Sequence, residues 1–184
     1  AGIVDHEAGT RDLRRLNGLA RAMPITATIA TVAAAAMAGV PLLNGFLSKE
    51  MFFSATTLTG EHWLVRFGLP AAATLAGMFS VAYSIRFIHQ VFFGPLATDL
   101  PRTPHEPTRG MLLPSLLLVL ACVLVGIFPN QTIGPLLETA AAAILGPQLP
   151  SYSLALWHGL NAPVLMSLLA MSGGVLIYLL LYRR

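Results

Sequence analysis

Charge is what this sequence has little of. Asp, Glu, Lys and Arg make up 10% of its 184 residues and hydrophobic residues 55%, whereas a soluble domain carries about 25% charged residues. The one cysteine, Cys122, sits in an apolar run. That excludes an internal disulfide and a cysteine-based metal site and leaves a small packing residue. No glycine-rich phosphate loop and no histidine or cysteine cluster is present, so no cofactor is expected. The formal net charge of +3 comes from arginines scattered at helix ends, without the basic face that nucleic acid requires. The chain opens Ala-Gly-Ile, without a signal-peptide pattern, and reads as a piece of a longer protein. Lysine is as scarce as cysteine: Lys49 stands alone.

What remains is long apolar runs. Four spans are expected: about Pro24 to Leu58, Trp63 to Phe93, Met111 to Phe128 with Pro114 in its first turn, and Leu160 to Tyr182. An unbroken first span would reach ~50 Å, far beyond a hydrocarbon core of ~30 Å. Either it breaks at residues 39–45 or it stops near Val40 and a short surface helix follows. Pro135 to Gly146 forms a helix too short to cross. The expected class is an all-α membrane protein with about four transmembrane helices, the first discontinuous. Arginines number four in residues 11–21, one (Arg66) in the next connection, two (Arg102, Arg109) in the following one, none in 129–159 and two at the tail. The positive-inside rule then places both ends and the 94–110 loop in the cytoplasm, with 59–62 and 129–159 outside. Trp63 and Trp157 mark the outer boundary, Tyr178 and Tyr182 the inner one.

Lys49 lies inside the first span. Residues 23–48 carry no charge, Lys49-Glu50 follow, and 51–60 are uncharged again. A charge near the bilayer centre costs ~3 kcal/mol or more, so it marks a partner or an aqueous pathway. Gly39-Val40-Pro41-Leu42-Leu43-Asn44-Gly45, just before it, interrupts a helix. Interrupted helices with an ionisable group at the break are how many transporters build their sites. A second half-helix starting near Phe46, capped by Asn44, places Lys49 in its first turn. Its side chain then leans back to the break, where the carbonyl end of the first half-helix favours a cation and desolvation opposes one. The competing reading is an interfacial lysine snorkelling from a stopped helix and paired with Glu50.

The second span carries a polar line. Tyr83, Arg86 and Gln90 fall within about 60° of one another around a helix, with Ser80 and His89 at the margins. Arg86 reads as a snorkelling or bracing residue or as part of an ion path. His89 reads as a relay or as a structural histidine. His158 is structural, and His6, His62 and His105 fall in loops without metal-ligand spacing. Ser172-Gly173-Gly174 permits close helix packing.

Asp5-His6-Glu7-Ala8-Gly9-Thr10-Arg11-Asp12, Gly18-Leu19, Met23-Pro24-Ile25-Thr26 and Ala38 to Glu50 resemble the large A-type component of the Mrp-type multisubunit sodium/proton antiporter. That antiporter-like family also includes the distal proton-pumping subunits of NADH:quinone oxidoreductase. Arg86 and Phe92-Phe93-Gly94 follow the same pattern, and Ala155-Leu156-Trp157-His158-Gly159-Leu160-Asn161 resembles a stretch after the antiporter core. The Pro-x-x-x-Gly-Phe-x-Ser-Lys pattern is shared by both branches; the Asp-His-Glu-x-Gly-Thr-Arg-Asp and Leu-Trp-His-Gly stretches tilt toward the antiporter.

The resemblance implies an inverted-repeat bundle with Lys49 on its second broken helix, in a chain of protonatable groups along the membrane midplane. The ion-pathway candidates are Lys49, then Asn44, Ser48, Glu50, Tyr83, Arg86 and His89. Residues 1–22 would be a cytoplasmic loop, 23–94 the end of an antiporter-like repeat, and 95–184 a cytoplasmic loop with peripheral helices. The expected function is that of a secondary antiporter subunit, not an enzyme, in the cell membrane. Its partners would be other membrane subunits, protons, sodium or another monovalent cation, and the bilayer. A respiratory proton-pumping subunit and a purely structural membrane chain are the alternatives.

Overall fold

The first apolar run does break, and the break is built by backbone conformation. α2 (Pro24–Ala38) ends at Gly39, whose φ of 83° lies in the left-handed region that favours glycine. Leu42 also takes a positive φ, 71°, and α3 (Asn44–Leu58) then begins. This computed structural model describes residues 2–58, 62–146, 154, 159 and 161–182. Trp157, His158 and most of the 155–161 stretch therefore lie outside the described residues, as do Arg183 and Arg184.

Among the described residues the regular structure is helical. α1 (Gly2–Ala8) and a 3-10 turn at Leu19–Arg21 precede α2. α4 (Trp63–Phe92), α5 (Arg109–Ile127), α6 (Pro129–Thr132), α7 (Gly134–Leu145) and α8 (Ala162–Tyr182) follow α3. Three helices, α4, α5 and α8, are long and apolar enough to cross a bilayer. The broken pair α2–α3 supplies the fourth span: neither 15-residue half, about 22 Å long, crosses alone.

α4 is the spine. The 19 residues 67–85 between Arg66 and Arg86 are uncharged and span about 28 Å, the thickness of a hydrocarbon core. α2 and α3 run antiparallel to α4 on successive halves. Ala27 of α2 shares a core with Val91 and Phe92 at the end of α4, whereas Phe53 of α3 packs with Ala73 of α4 and with Met166 and Ala170 of α8. α3 is thus a bundle element, not a surface helix. α8 lies along α4 through small residues: a Cβ on Gly174 would come within 2.5 Å of the Val81 Cβ. This is the close packing that Ser172-Gly173-Gly174 announces.

Two sequence expectations change. α3 begins at Asn44, so Asn44 is not a cap and Lys49 falls in the second turn, one turn later than expected. Residues 1–22 are not a plain loop. α1, the 3-10 turn and the segment between them cover the ends of α2 and α4 with Val4, Ala8, Leu16 and Leu19, all buried. His6 accordingly lies on a helix.

The N-terminal segment, the 94–108 loop and the end of α8 meet at one end of the bundle. The Ala97 amide bonds the Asn17 carbonyl, and one hollow is lined by Leu13, Asn17, Gly94, Gln90 and Tyr182. These are the regions that the arginine count assigns to the cytoplasm. In a Cys122→Ser background, single cysteines in the 94–108 loop are expected to stay protected from an impermeant thiol reagent in intact cells, with cysteines in 129–133 labelled. The opposite pattern would invert the topology.

The break is also tight. A Cβ on Gly45 would collide with the Ala36 carbonyl group, and one on Gly126 of α5 would stand 2.6 Å from the Leu43 Cα. Gly45→Ala is expected to destabilise the fold by about 1–3 kcal/mol, as overpacking against backbone does. Gly68→Ala, where nothing lies within 4 Å, should not destabilise in the same thermal-denaturation series, since alanine is the better helix former. Equal stability of the two variants would contradict the close approach of the half-helices.

Candidate functional site at the helix break

A helix end leaves its last carbonyls without intrahelical donors, and inside a bilayer water is not at hand to supply them. At the end of α2 the Gly39 amide bonds the Ala36 carbonyl and the Val40 amide bonds Ala35. The Ala38 carbonyl receives the Lys49 ammonium at 2.9 Å. Lys49 Nζ also donates to Ser80 Oγ of α4 at 3.2 Å, and Ser80 Oγ donates in turn to the Met37 carbonyl at 2.9 Å. The lysine stem passes over Gly39, where a Cβ would stand 2.8 Å from Lys49 Cδ. One cation thus joins α2, α3 and α4 at the break, with the side chain half-buried. Ser80 lies six residues before Arg86, about 9 Å along the helix, which sets the ammonium beside the uncharged 67–85 stretch of α4.

The other sequence candidates divide around this centre. Asn44 is half-buried, Ser48 is exposed and Glu50 is buried on α3. Tyr83, Arg86 and Gln90 do share one cleft of about 620 Å³ between α4 and α8, where Arg86 Nε donates to Gln90 Oε1 at 3.1 Å. His89 turns to α8: its Nδ1 is 2.7 Å from Tyr178 Oη, and the Tyr182 ring stands edge-on at 5.1 Å. A second cavity of about 380 Å³ lies between α2, α4 and α8. It touches Ala38 and Val40 beside the ammonium, passes Ser84 and reaches His89.

Two contributors are not apparent from sequence pattern. Ser80 is only marginal on the polar line, although it is the side chain that Lys49 bonds. Glu106, in the loop before α5, closes the other end of α2. Its carboxylate accepts from the Ile25 amide at 3.1 Å, the Thr26 amide at 2.8 Å and Thr26 Oγ at 2.6 Å. The available clue is Met23, which precedes Pro24 and offers no capping oxygen. α2 therefore carries an anion at its amide end and a cation at its carbonyl end, both matched to the helix dipole.

A bundle of membrane-crossing helices with one helix broken around a single ammonium defines a multi-pass membrane protein. Comparison with known proteins places it further. Residues 1–74 match the family model described as NADH:quinone oxidoreductase/Mrp antiporter, transmembrane. The A/B component of a probable K(+)/H(+) antiporter of Rhizobium meliloti is 60% identical over 98% of this chain and 18% of its own length. The A component of an Na(+)/H(+) antiporter of Alkalihalophilus pseudofirmus is 34% identical over 98% of the chain and 24% of its own length. Among solved structures, a chain of the Mrp complex from a Dietzia species matches with a TM-score of 0.79 and 31% identity, over 97% of this chain and 19% of that one.

The chain belongs to the Mrp-type antiporter subunit family. It spans about a fifth of the length of the relatives it matches.

The Glu106 cap carries its own test. Glu106→Ala removes all three hydrogen bonds at the start of α2 and is expected to cost about 1 kcal/mol, the usual loss of a helix cap. Hydrogen exchange at the Ile25 and Thr26 amides should accelerate, while amides in the middle of α4 keep their rates. Unchanged exchange at those two amides would remove Glu106 from the role.

Proposed function

We propose that this chain forms part of the ion-translocating core of a monovalent cation/proton antiporter, and that Lys49 is a proton-loading site on its broken helix. One observation carries the reading: the ammonium sits at the break, held by the Ala38 carbonyl and Ser80 Oγ. Two opposed terms act on its charge. The carbonyl end of α2 stabilises a cation, and removal from water destabilises it. A small shift of α3 against α2 or α4 changes both, which is how a proton would be taken up and released. The cavity from Ala38 past Ser84 to His89 supports an inner route, with His89 as the relay nearest the cytoplasmic end. Its lining is almost entirely apolar, so conduction would require transient wetting.

Asn44, Ser48 and Glu50 belong to the same region of α3, while Tyr83 and Arg86 face the neighbouring cleft. In this reading residues 23–94 close the antiporter-like repeat and 95–184 form a loop and peripheral helices. The relative at 60% identity is named for potassium and that at 34% for sodium, so both cations belong in the test. The named relatives and the solved complex favour a transporter working with other membrane subunits over an enzyme. The family description also covers the respiratory branch.

In the complete complex, Lys49→Ala is expected to abolish antiport while protein levels in the membrane hold. Lys49→Arg should impair it too, because a guanidinium stays charged at every accessible pH. Antiport would be read as dequenching of a pH-sensitive dye in everted vesicles on addition of sodium or potassium. Full activity of Lys49→Arg would replace the proton-loading role with a fixed positive charge, and full activity of Lys49→Ala would take the residue out of the pathway.

A further inference from the structure

The second polar cluster of this chain lies outside the membrane core and takes no part in the proposed pathway. Glu7, on α1, is only 6% exposed and holds two imidazoles. His6 Nδ1 lies 2.9 Å from its Oε1, and His105 Nδ1, from the loop before α5, lies 3.0 Å from its Oε2. Both rings open to water, 59% and 74% exposed. Arg102 fastens the same junction by donating to the His6 carbonyl at 3.1 Å. These side chains border a hollow of about 530 Å³ with Pro101 and Thr103, and they are not arranged to share a metal ion. A buried carboxylate between two water-exposed histidines joins the N-terminal segment to a loop nearly a hundred residues later.

We infer that His6, Glu7 and His105 form a proton-binding clasp that senses pH at the arginine-rich end of the bundle and passes its state to α2. The connection is covalent and short. His105 is followed by Glu106, whose carboxylate caps α2, and the far end of α2 presents the Ala38 carbonyl to Lys49.

The sign follows from charge. A protonated imidazole beside the Glu7 carboxylate adds Coulomb attraction to the hydrogen bond, while a neutral one leaves the hydrogen bond alone. Histidine ordinarily changes charge between pH 5 and 8. The clasp is therefore tight in acid and loosens as pH rises.

The other charged groups near the clasp pair among themselves or face elsewhere. On the α1 side, Arg11 pairs with Asp5 at 2.7 Å, and Arg14 holds the Asp12 carboxyl below its usual range. From the loop side Arg102 is a permanent cation, Arg15 meets Asp99 at 3.2 Å, and the Glu106 carboxylate is turned to Ile25 and Thr26. From α2 no titratable side chain faces the cluster, since residues 24–38 carry none.

The test uses the complete complex in lipid nanodiscs. A spin label at Thr103→Cys, in a Cys122→Ser background, reports loop mobility. Hydrogen exchange, corrected for intrinsic pH dependence, reports the Ile25 and Thr26 amides. Both are expected to loosen together as pH rises from 6 to 8. The isosteric Glu7→Gln and the double variant His6→Gln/His105→Gln should each lose that response, with normal protein levels. Lys49→Ala should retain it, so the clasp stands or falls apart from the ion pathway. A response that persists in the double variant, or is missing from the unmodified loop, would overturn the clasp. A loop that responds while the α2 amides do not would overturn the link to α2.

Discussion

A helix that stops inside a bilayer must satisfy its last carbonyls, and in this chain a single ammonium takes the last of them, that of Ala38. Without Lys49 the Ala38 carbonyl would face hydrocarbon or a neighbouring backbone, at the cost attached to any unmade hydrogen bond in an apolar medium. With it, α2 can end inside the membrane and α3 can begin on a shifted line. The rest of the bundle is arranged around that junction. Ser80 brings α4 to the ammonium, Gly39 leaves room for the lysine stem, and Gly45 and Gly126 let backbone approach backbone.

The charges on α2 make this more than a local repair. Glu106 at the amide end and Lys49 at the carbonyl end each favour the helix dipole. The two side chains come from different parts of the sequence, so α2 is held at its two ends by two different elements. A helix of 15 residues held in this way transmits a displacement as a rigid rod, because its internal hydrogen bonds resist stretching far more than its end contacts do. Under the proposed link, a change in the 94–108 loop would reach the break through α2 with no contiguous polar path between them.

The parts legible in the sequence are those written in local pattern. Run length locates the membrane helices, and the Gly-Pro-Gly spacing of residues 39–45 locates the break. Lone Lys49 after that break can be seen to reach back, because helical side chains lean toward the amide end. Local pattern puts the start of α3 too late because Asn44 fits a cap so well; here Asn44 is the first helical residue. What the sequence does not disclose are pairings across distance. Glu106 with Thr26, His105 with Glu7 and Tyr178 with His89 are each separated by 80 residues or more. No periodicity encodes such contacts; they exist because the helices between them have the lengths they have. The order of residues 1–22 is hidden for a related reason. That segment is polar in composition, yet Leu16 and Leu19 find cover only once α2 and α4 have brought their ends together.

Charge is scarce in the membrane region. Arg66 and Arg86 bracket the apolar length of α4, and Lys49 is the cation left between those levels. In a bundle richer in buried charge, a proton bound at one site would be buffered by its neighbours, and the field of any one group would be diluted. Here the ammonium is held by dipoles, a carbonyl and a hydroxyl, which cannot titrate in its place. A dipole's attraction falls off faster with distance than that of a full charge. The preference for the charged form at the break therefore depends steeply on how closely α2, α3 and α4 approach. Under the proposed loading role, that geometry makes the separation of the two half-helices a variable that sets whether the cation is retained.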